Sequence, residues 1–171
     1  MKRARIVCAL AVFCLFGSSG SAQVSGPNLA TMRDLSADLA NSYLRIWSSS
    51  DEAALHDVHE VYAPRVKFYG RVLGKRAITA EKLRFVRRWP IRRYSLRPGT
   101  TRVDCDQDKR ACIVRTLIDW EAASPQRRRT SRGVSEFELG VGFSGPQPLV
   151  IYEGGRVVSR SARPSRRAHH S

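Results

Sequence analysis

The sequence predicts an α+β domain, with three N-terminal helices packed on a curved antiparallel sheet. Two patterns carry that prediction. Up to Trp89, apolar residues recur three or four positions apart; from Tyr94 onward they alternate with polar residues, as in half-buried strands. A third pattern, at the N-terminus, sets the compartment. Lys2, Arg3 and Arg5 precede an eleven-residue apolar run, Ile6 to Phe16, and Gly17 to Ala22 follows with Gly20 and Ala22 at the minus-three and minus-one positions of a cut after Ala22. This has the form of a secretory signal peptide. The run is short for a bilayer span. The mature chain is expected to begin at Gln23, to hold 149 residues and to be periplasmic or secreted.

The elements follow in order. Leu29, Met32, Leu35, Leu39, Tyr43, Ile46 and Trp47 fall at helical spacing, so 29–48 reads as an amphipathic helix capped by Asn28. Ser49 to Glu52 fits a capping box opening a second helix over 51–62, with Ala54, Leu55, Val58, Val61 and Tyr62 on one face and Ala63-Pro64 as its stop. Val66 and Phe68 suggest a short strand ending at Gly70. A third helix covers 77–88, with Ile78, Leu83, Val86 and Trp89 as its apolar side and Pro90 after it. Strands follow at 93–97, 101–105, 112–123, 134–143 and 148–158. In 112–123, Val114, Thr116, Ile118 and Trp120 face one way, and Ile113, Arg115, Leu117, Asp119 and Glu121 the other. From Ser159 the chain is Ser, Arg, Pro and His without an apolar pattern, and 159–171 reads as a disordered basic tail.

At this length one domain with its own core is expected. Removal of the leader leaves 27 basic against 15 acidic residues, a net charge of +12. Arg outnumbers Lys 25 to 5 in the whole chain. Arginine's planar fork suits carboxylate and phosphate, although a GC-rich genome produces the same excess. The anionic partners of an exported protein are envelope polymers and lipid headgroups; nucleic acid is not expected. Of four cysteines, Cys8 and Cys14 lie in the leader, and neither follows the small residue that lipidation needs. Cys105 and Cys112 are then the default disulfide of an oxidising compartment. It would close a six-residue loop between two strands and add about 2–3 kcal/mol.

The order of elements resembles the nuclear transport factor 2-like superfamily, the cone-shaped fold of ketosteroid-isomerase-like and SnoaL-like proteins, over residues 29–158. Tyr62-Ala63, Val66-Lys-Phe-Tyr-Gly70, Arg88-Trp89-Pro90 and the cysteine pair are similar to stretches in exported alpha-proteobacterial proteins of that fold, some attached to caspase-like peptidases. The resemblance implies a cavity between the sheet and the helices. In enzymes of the superfamily an acidic base there works against a tyrosine or acid donor. The acids available are Asp119, Glu121, Glu136, Glu138 and Glu153, with Tyr43, Tyr62, Tyr69 and Tyr94 as donors. Asp119, on a face with Leu117 and Ile113, reads as the best partly buried acid; Glu136 and Glu138 read as solvated, paired with Arg115 or the 127–132 arginines. No position matches a ketosteroid-isomerase motif, so no catalytic role is carried across.

Aromatic and basic residues suggest binding instead. Tyr43, Trp47, Tyr69, Trp89, Arg93 and Trp120 are the residues expected to contact a ligand, either a small apolar molecule or an anionic group. Arg87-Arg88 and Arg92-Arg93 flank Trp89, Arg127 to Arg129 and Arg132 occupy a turn, and Arg156 to Arg167 run into the tail. His56 and His59 stand three apart without a third ligand, so neither a metal nor another cofactor is expected. The chain has no glycine-rich phosphate loop and no Gly-x-Ser-x-Gly elbow. The leading reading is an exported, non-catalytic binding or accessory domain. Its alternatives are a SnoaL-like acid–base enzyme and a cationic envelope-associated structural protein; a dimer is compatible with each. A cavity holding a buried, pKa-shifted carboxylate within about 3 Å of a tyrosine hydroxyl suits the enzyme. A cavity filled by Trp47, Phe85, Trp89 and Phe137 suits a binding or structural role.

Overall fold

The computed structural model describes residues 26–56 and 58–163. The expected leader, the His59 side chain and the end of the tail lie outside the described residues. Helix α1, Leu29–Ser48, buries Met32, Ser36, Ala40, Tyr43, Leu44 and Trp47 along one stripe, and the Asn28 side chain accepts the Thr31 N–H at 2.9 Å. The second expected helix is two short ones, α2 (Asp51–His56) and α3 (Val58–Val61). Its capping box is displaced by one residue. Ser49 ends α1 with its hydroxyl turned back onto the Ile46 carbonyl, and Ser50 Oγ receives the Ala53 N–H.

Tyr62 opens a strand rather than closing a helix: Ala63, the residue before Pro64, favours extended backbone, and the extended segment begins one residue earlier. Strand β1 is Tyr62–Phe68, and Pro64 lies where its register with the last strand breaks, between Tyr62 and Lys67. A strand absent from the sequence reading, β2 (Arg71–Gly74), pairs back on β1 through a two-residue turn. Tyr69 and Gly70 both adopt positive φ there, +46° and +83°, as a tight hairpin turn demands. Helix α4 is Lys75–Arg88, and β3 (Ile91–Leu96), β4 (Arg102–Asp106), β5 (Ala111–Ser124), β6 (Arg129–Gly142) and β7 (Leu149–Arg163) complete the chain.

The strands form one sheet in the order β2-β1-β7-β6-β5-β3, with β4 sharing the β5 edge with β3. It is mixed rather than wholly antiparallel, since β1 and β7 run parallel. Cys105 and Cys112 face each other across β4 and β5 and are bonded. Strand β7 continues through Arg163, with 159–163 paired to 130–134 of β6. The start of the expected tail is therefore ordered sheet, held by backbone pairing that needs no apolar pattern.

Two bulges shape β7. Between the pairs Val141↔Val150 and Gly140↔Tyr152, Ile151 is an extra residue; between Ser135↔Val157 and Val134↔Ser159, Val158 is another. Each reverses the alternation, because the side-chain period is two. The face shared by Leu139 and Val141 of β6 thus continues into Val150, then Glu153, then Gly155, Val157 and Arg160 of β7. Gly155 has φ +141°, and a Cβ there would lie 2.2 Å from the Glu136 carbonyl oxygen, so only glycine fits that bend.

Arg92 is part of the frame, not of a surface cluster. It is 5% exposed. Its guanidinium reaches the carbonyls of Trp47 (3.1 Å) and Ser49 (3.0 Å) at the end of α1, of Trp89 (2.7 Å) at the end of α4, and Asp51 Oδ1 (2.5 Å) at the start of α2. One side chain satisfies carbonyls that both helix ends leave unpaired. Arg92→Ala is expected to lower stability by about 3–5 kcal/mol, because it removes the donor from three helix-end carbonyls, at about 1–3 kcal/mol each where they are buried. The neighbouring, exposed Arg93 is expected to tolerate alanine within about 0.5 kcal/mol. Urea unfolding of both variants checks the contrast, and equal losses would contradict it.

Candidate functional site: a two-chambered cone

The concave face of the sheet and helices α1 and α4 enclose two adjoining chambers. The inner one, about 300 Å³, is lined by Tyr43, Leu44 and Trp47 of α1, Glu81, Lys82 and Phe85 of α4, Phe68 and Tyr69 of the first hairpin, and Tyr94, Ile118, Phe137 and Glu153 of the sheet. The outer one, about 450 Å³, shares Tyr69, Phe85, Tyr94, Ile118 and Phe137 with it and adds Trp89, Trp120 and the arginines 88, 156 and 160. Both lie in the size range of small-molecule sites. The aromatics line this space rather than fill it.

Four polar side chains meet at the inner end. Glu153, 3% exposed, accepts from Tyr43 and Tyr62 hydroxyls at Oε2, each at 2.5 Å, and from Lys82 Nζ at Oε1 at 2.8 Å. Lys82 Nζ also donates to Tyr43 Oη at 2.8 Å, and the two hydroxyls are 2.7 Å apart. The ammonium lies 4.5 Å from the Trp47 ring centroid and 5.3 Å from those of Tyr43 and Phe68. Such faces stabilise a desolvated cation. Burial first, then the charge of Glu153, raises the pKa of both Tyr43 and Tyr62 well above the ordinary phenol value. Burial does the same for Tyr94, opposed by the charge of Arg92.

The ligand-contact residues named from sequence divide by face. Tyr43, Trp47 and Tyr69 line the inner chamber, Tyr69, Trp89 and Trp120 the outer. Arg93 lies on the opposite side of the sheet, in a polar depression with Ser95, Glu121 and Arg132. Asp119 lines that depression too and is not the partly buried acid expected: it is outside the cone, nearly half exposed and paired with Arg97 at 2.6 Å. That pairing holds its carboxyl below the usual range. The acid inside is Glu153, one of the five acids the sequence offers. Lys82 is the residue that sequence reasoning misses, although its position carries a signal. It falls four residues after buried Ile78 and four before buried Val86, inside the apolar stripe of α4. Glu138 pairs with Arg115 on the outer face, as expected, and Glu136 with Arg156. Among the described residues no group of three or more His, Cys, Asp or Glu could hold a metal ion, and no helix is long and apolar enough to cross a membrane.

Solved structures match this architecture at low sequence identity. A protein of Kribbella flavida, Kfla4162, superposes with a TM-score of 0.66 and 10% identity, over 78% of this chain and 95% of that one. An uncharacterised Caulobacter vibrioides protein with a cystatin-like fold gives 0.60 and 14%, over 74% and 89%. The hexachlorocyclohexane dehydrochlorinase LinA-type3 of Novosphingobium barchaimii gives 0.61 and 7%, over 78% and 90%. The chain has the cystatin-like, nuclear transport factor 2-like fold. No family model matches the sequence, and no curated protein matches it.

Because their pKa values are raised, Tyr43 and Tyr62 stay protonated in the folded chain at pH values where the unfolded chain ionises them, near 10. The stability they contribute is whole below about pH 10 and falls as pH rises further, since the unfolded state then releases protons that the folded state keeps. Phenolate absorbance of the native protein should lag that of the denatured protein, with a falling urea midpoint above about pH 10. Superimposed titrations would contradict the cluster.

Proposed function

We propose that this chain is an exported binding domain whose cone holds a small, largely apolar molecule, without converting it. The observation that carries this reading is the donor set on Glu153. Oε2 takes two protein donors and Oε1 one, so three of its roughly four acceptor positions are used by the fold and little of it is left to reach a substrate's proton, as a general base must. What the cavity offers a ligand is aromatic surface and donors. Trp47 Nε1, buried at the wall of the inner chamber, has no hydrogen-bond partner. Lys82 directs two donors to Tyr43 and Glu153, which leaves a third. Export rests on the charged start, apolar run and small-residue cleavage site of residues 1–22, and association with anionic envelope material on the net charge of +12.

Acid–base catalysis is the second reading. It is favoured by the two hydroxyls 2.5 Å from Glu153 and by the likeness to the dehydrochlorinase, a fold-level analogy. Equilibrium dialysis of residues 23–171 against a small-molecule extract of the source cell, followed by mass spectrometry, separates the two. The binding reading expects a compound enriched with the protein and recovered unchanged. A compound consumed in proportion to protein and time would overturn it in favour of the enzyme. No enrichment at all would overturn the small-molecule site.

A further inference from the structure

We propose that the ligand is an amphipathic organic anion, with a flat apolar body in the aromatic part of the cone and its negative group in the outer chamber, between Arg88 and Arg160. The proposal deepens the binding reading above and rests on it. Its basis is which charges around the cone are already compensated. At the inner end Lys82 is paired with Glu153. At the rim Glu81 is held by Arg71 and Arg84. At the border of the outer chamber Arg156, whose side chain the register puts on the opposite face of the sheet, is gripped through both nitrogens by Glu136, at 2.6 and 2.7 Å. Arg88 and Arg160 line the same chamber, and among the described residues neither has a carboxylate partner. The outer chamber therefore carries uncompensated positive charge, and the inner chamber does not.

The sheet holds these groups in place. Tyr94, Trp120, Gly133 and Arg160 are successive partners across β3, β5, β6 and β7. The bulge at Val158 brings Arg160 to the concave face, and the absence of a side chain at Gly133 admits the Trp120 ring, which a Cβ would approach to 2.9 Å. The Arg160 guanidinium stands 5.9 Å from the Trp120 centroid, and Arg88 5.9 Å from that of Trp89. Trp120 Nε1 is buried without a partner beside them. Two unpaired guanidinium forks and an unsatisfied indole N–H form a donor set with no acceptor, which suits a carboxylate, sulfonate or phosphate group. An anion placed deeper would meet a lysine already neutralised. A neutral molecule would gain nothing from the two exposed guanidinium groups.

The test uses two fluorescent probes with the same rings, 8-anilinonaphthalene-1-sulfonate and the uncharged N-phenyl-1-naphthylamine, titrated into residues 23–171. The proposal expects one saturable site that takes the sulfonate at least about tenfold more tightly at low salt, with the preference shrinking as salt is raised. The double variant Arg88→Gln/Arg160→Gln should lose most of that preference and keep the neutral probe's affinity. Arg33→Gln/Arg102→Gln removes the same charge away from the cone and should keep the preference. Both arginines of the test pair are exposed, so unchanged melting temperatures will confirm that the variants fold. Equal affinity for the two probes, an unaltered preference in Arg88→Gln/Arg160→Gln, or an equal loss in the control pair would overturn the anion site while leaving the cavity reading intact. Failure of both probes to bind would bring down the cavity reading with it.

Discussion

A carboxylate cannot be buried in an apolar cone unless donors compensate it, and the arrangement around Glu153 is the form that compensation takes here. The Ile151 bulge turns Glu153 inward. Once inside, it needs partners, and each comes from a different element: Lys82 from α4, Tyr43 from α1, Tyr62 from the start of β1. The bonds fix how the helices sit on the sheet. The Tyr69 N–H, donating to the Glu153 carbonyl at 2.8 Å, ties the first hairpin to the same residue. Arg92 performs the corresponding task at the C-terminus of α1, one turn beyond Tyr43, where it joins the ends of two helices and the start of a third.

The same donor set shapes the functional proposal. Three of the carboxylate's roughly four acceptor positions serve the fold, so in the proposed reading the inner end orders its surroundings and recognition falls to the wall. Positive charge without a partner is displaced outward, to Arg88 and Arg160. Two bulges in one strand thus set both ends of the site, the first by turning in an acid and the second by turning in an arginine.

Helical periodicity made α1 legible to the residue and placed Tyr43 and Trp47 on its buried side, where both line the inner chamber. Strand alternation made β5 legible but could not say which of its two faces is concave. Ile113 and Leu117 made the outer face look buried, and Asp119 went with them. Glu153 was hidden for a different reason. Strict alternation from Val150 sends Tyr152 inward and Glu153 to solvent, and only the extra residue at Ile151 reverses this. A bulge is a property of pairing between strands, so one strand's pattern does not reveal it. β2 escaped because it is four residues long and exposes Val72, with no apolar alternation to mark it.

The central claim is that Glu153 and Lys82 are buried as a mutually dependent pair. A double-mutant cycle in urea unfolding, with Glu153→Gln, Lys82→Met and both together, measures that dependence directly. The account predicts that each single change costs about 3–5 kcal/mol, because it strands its partner, and that the double variant loses at least about 1 kcal/mol less than the sum. Losses that add to within about 0.5 kcal/mol would contradict it.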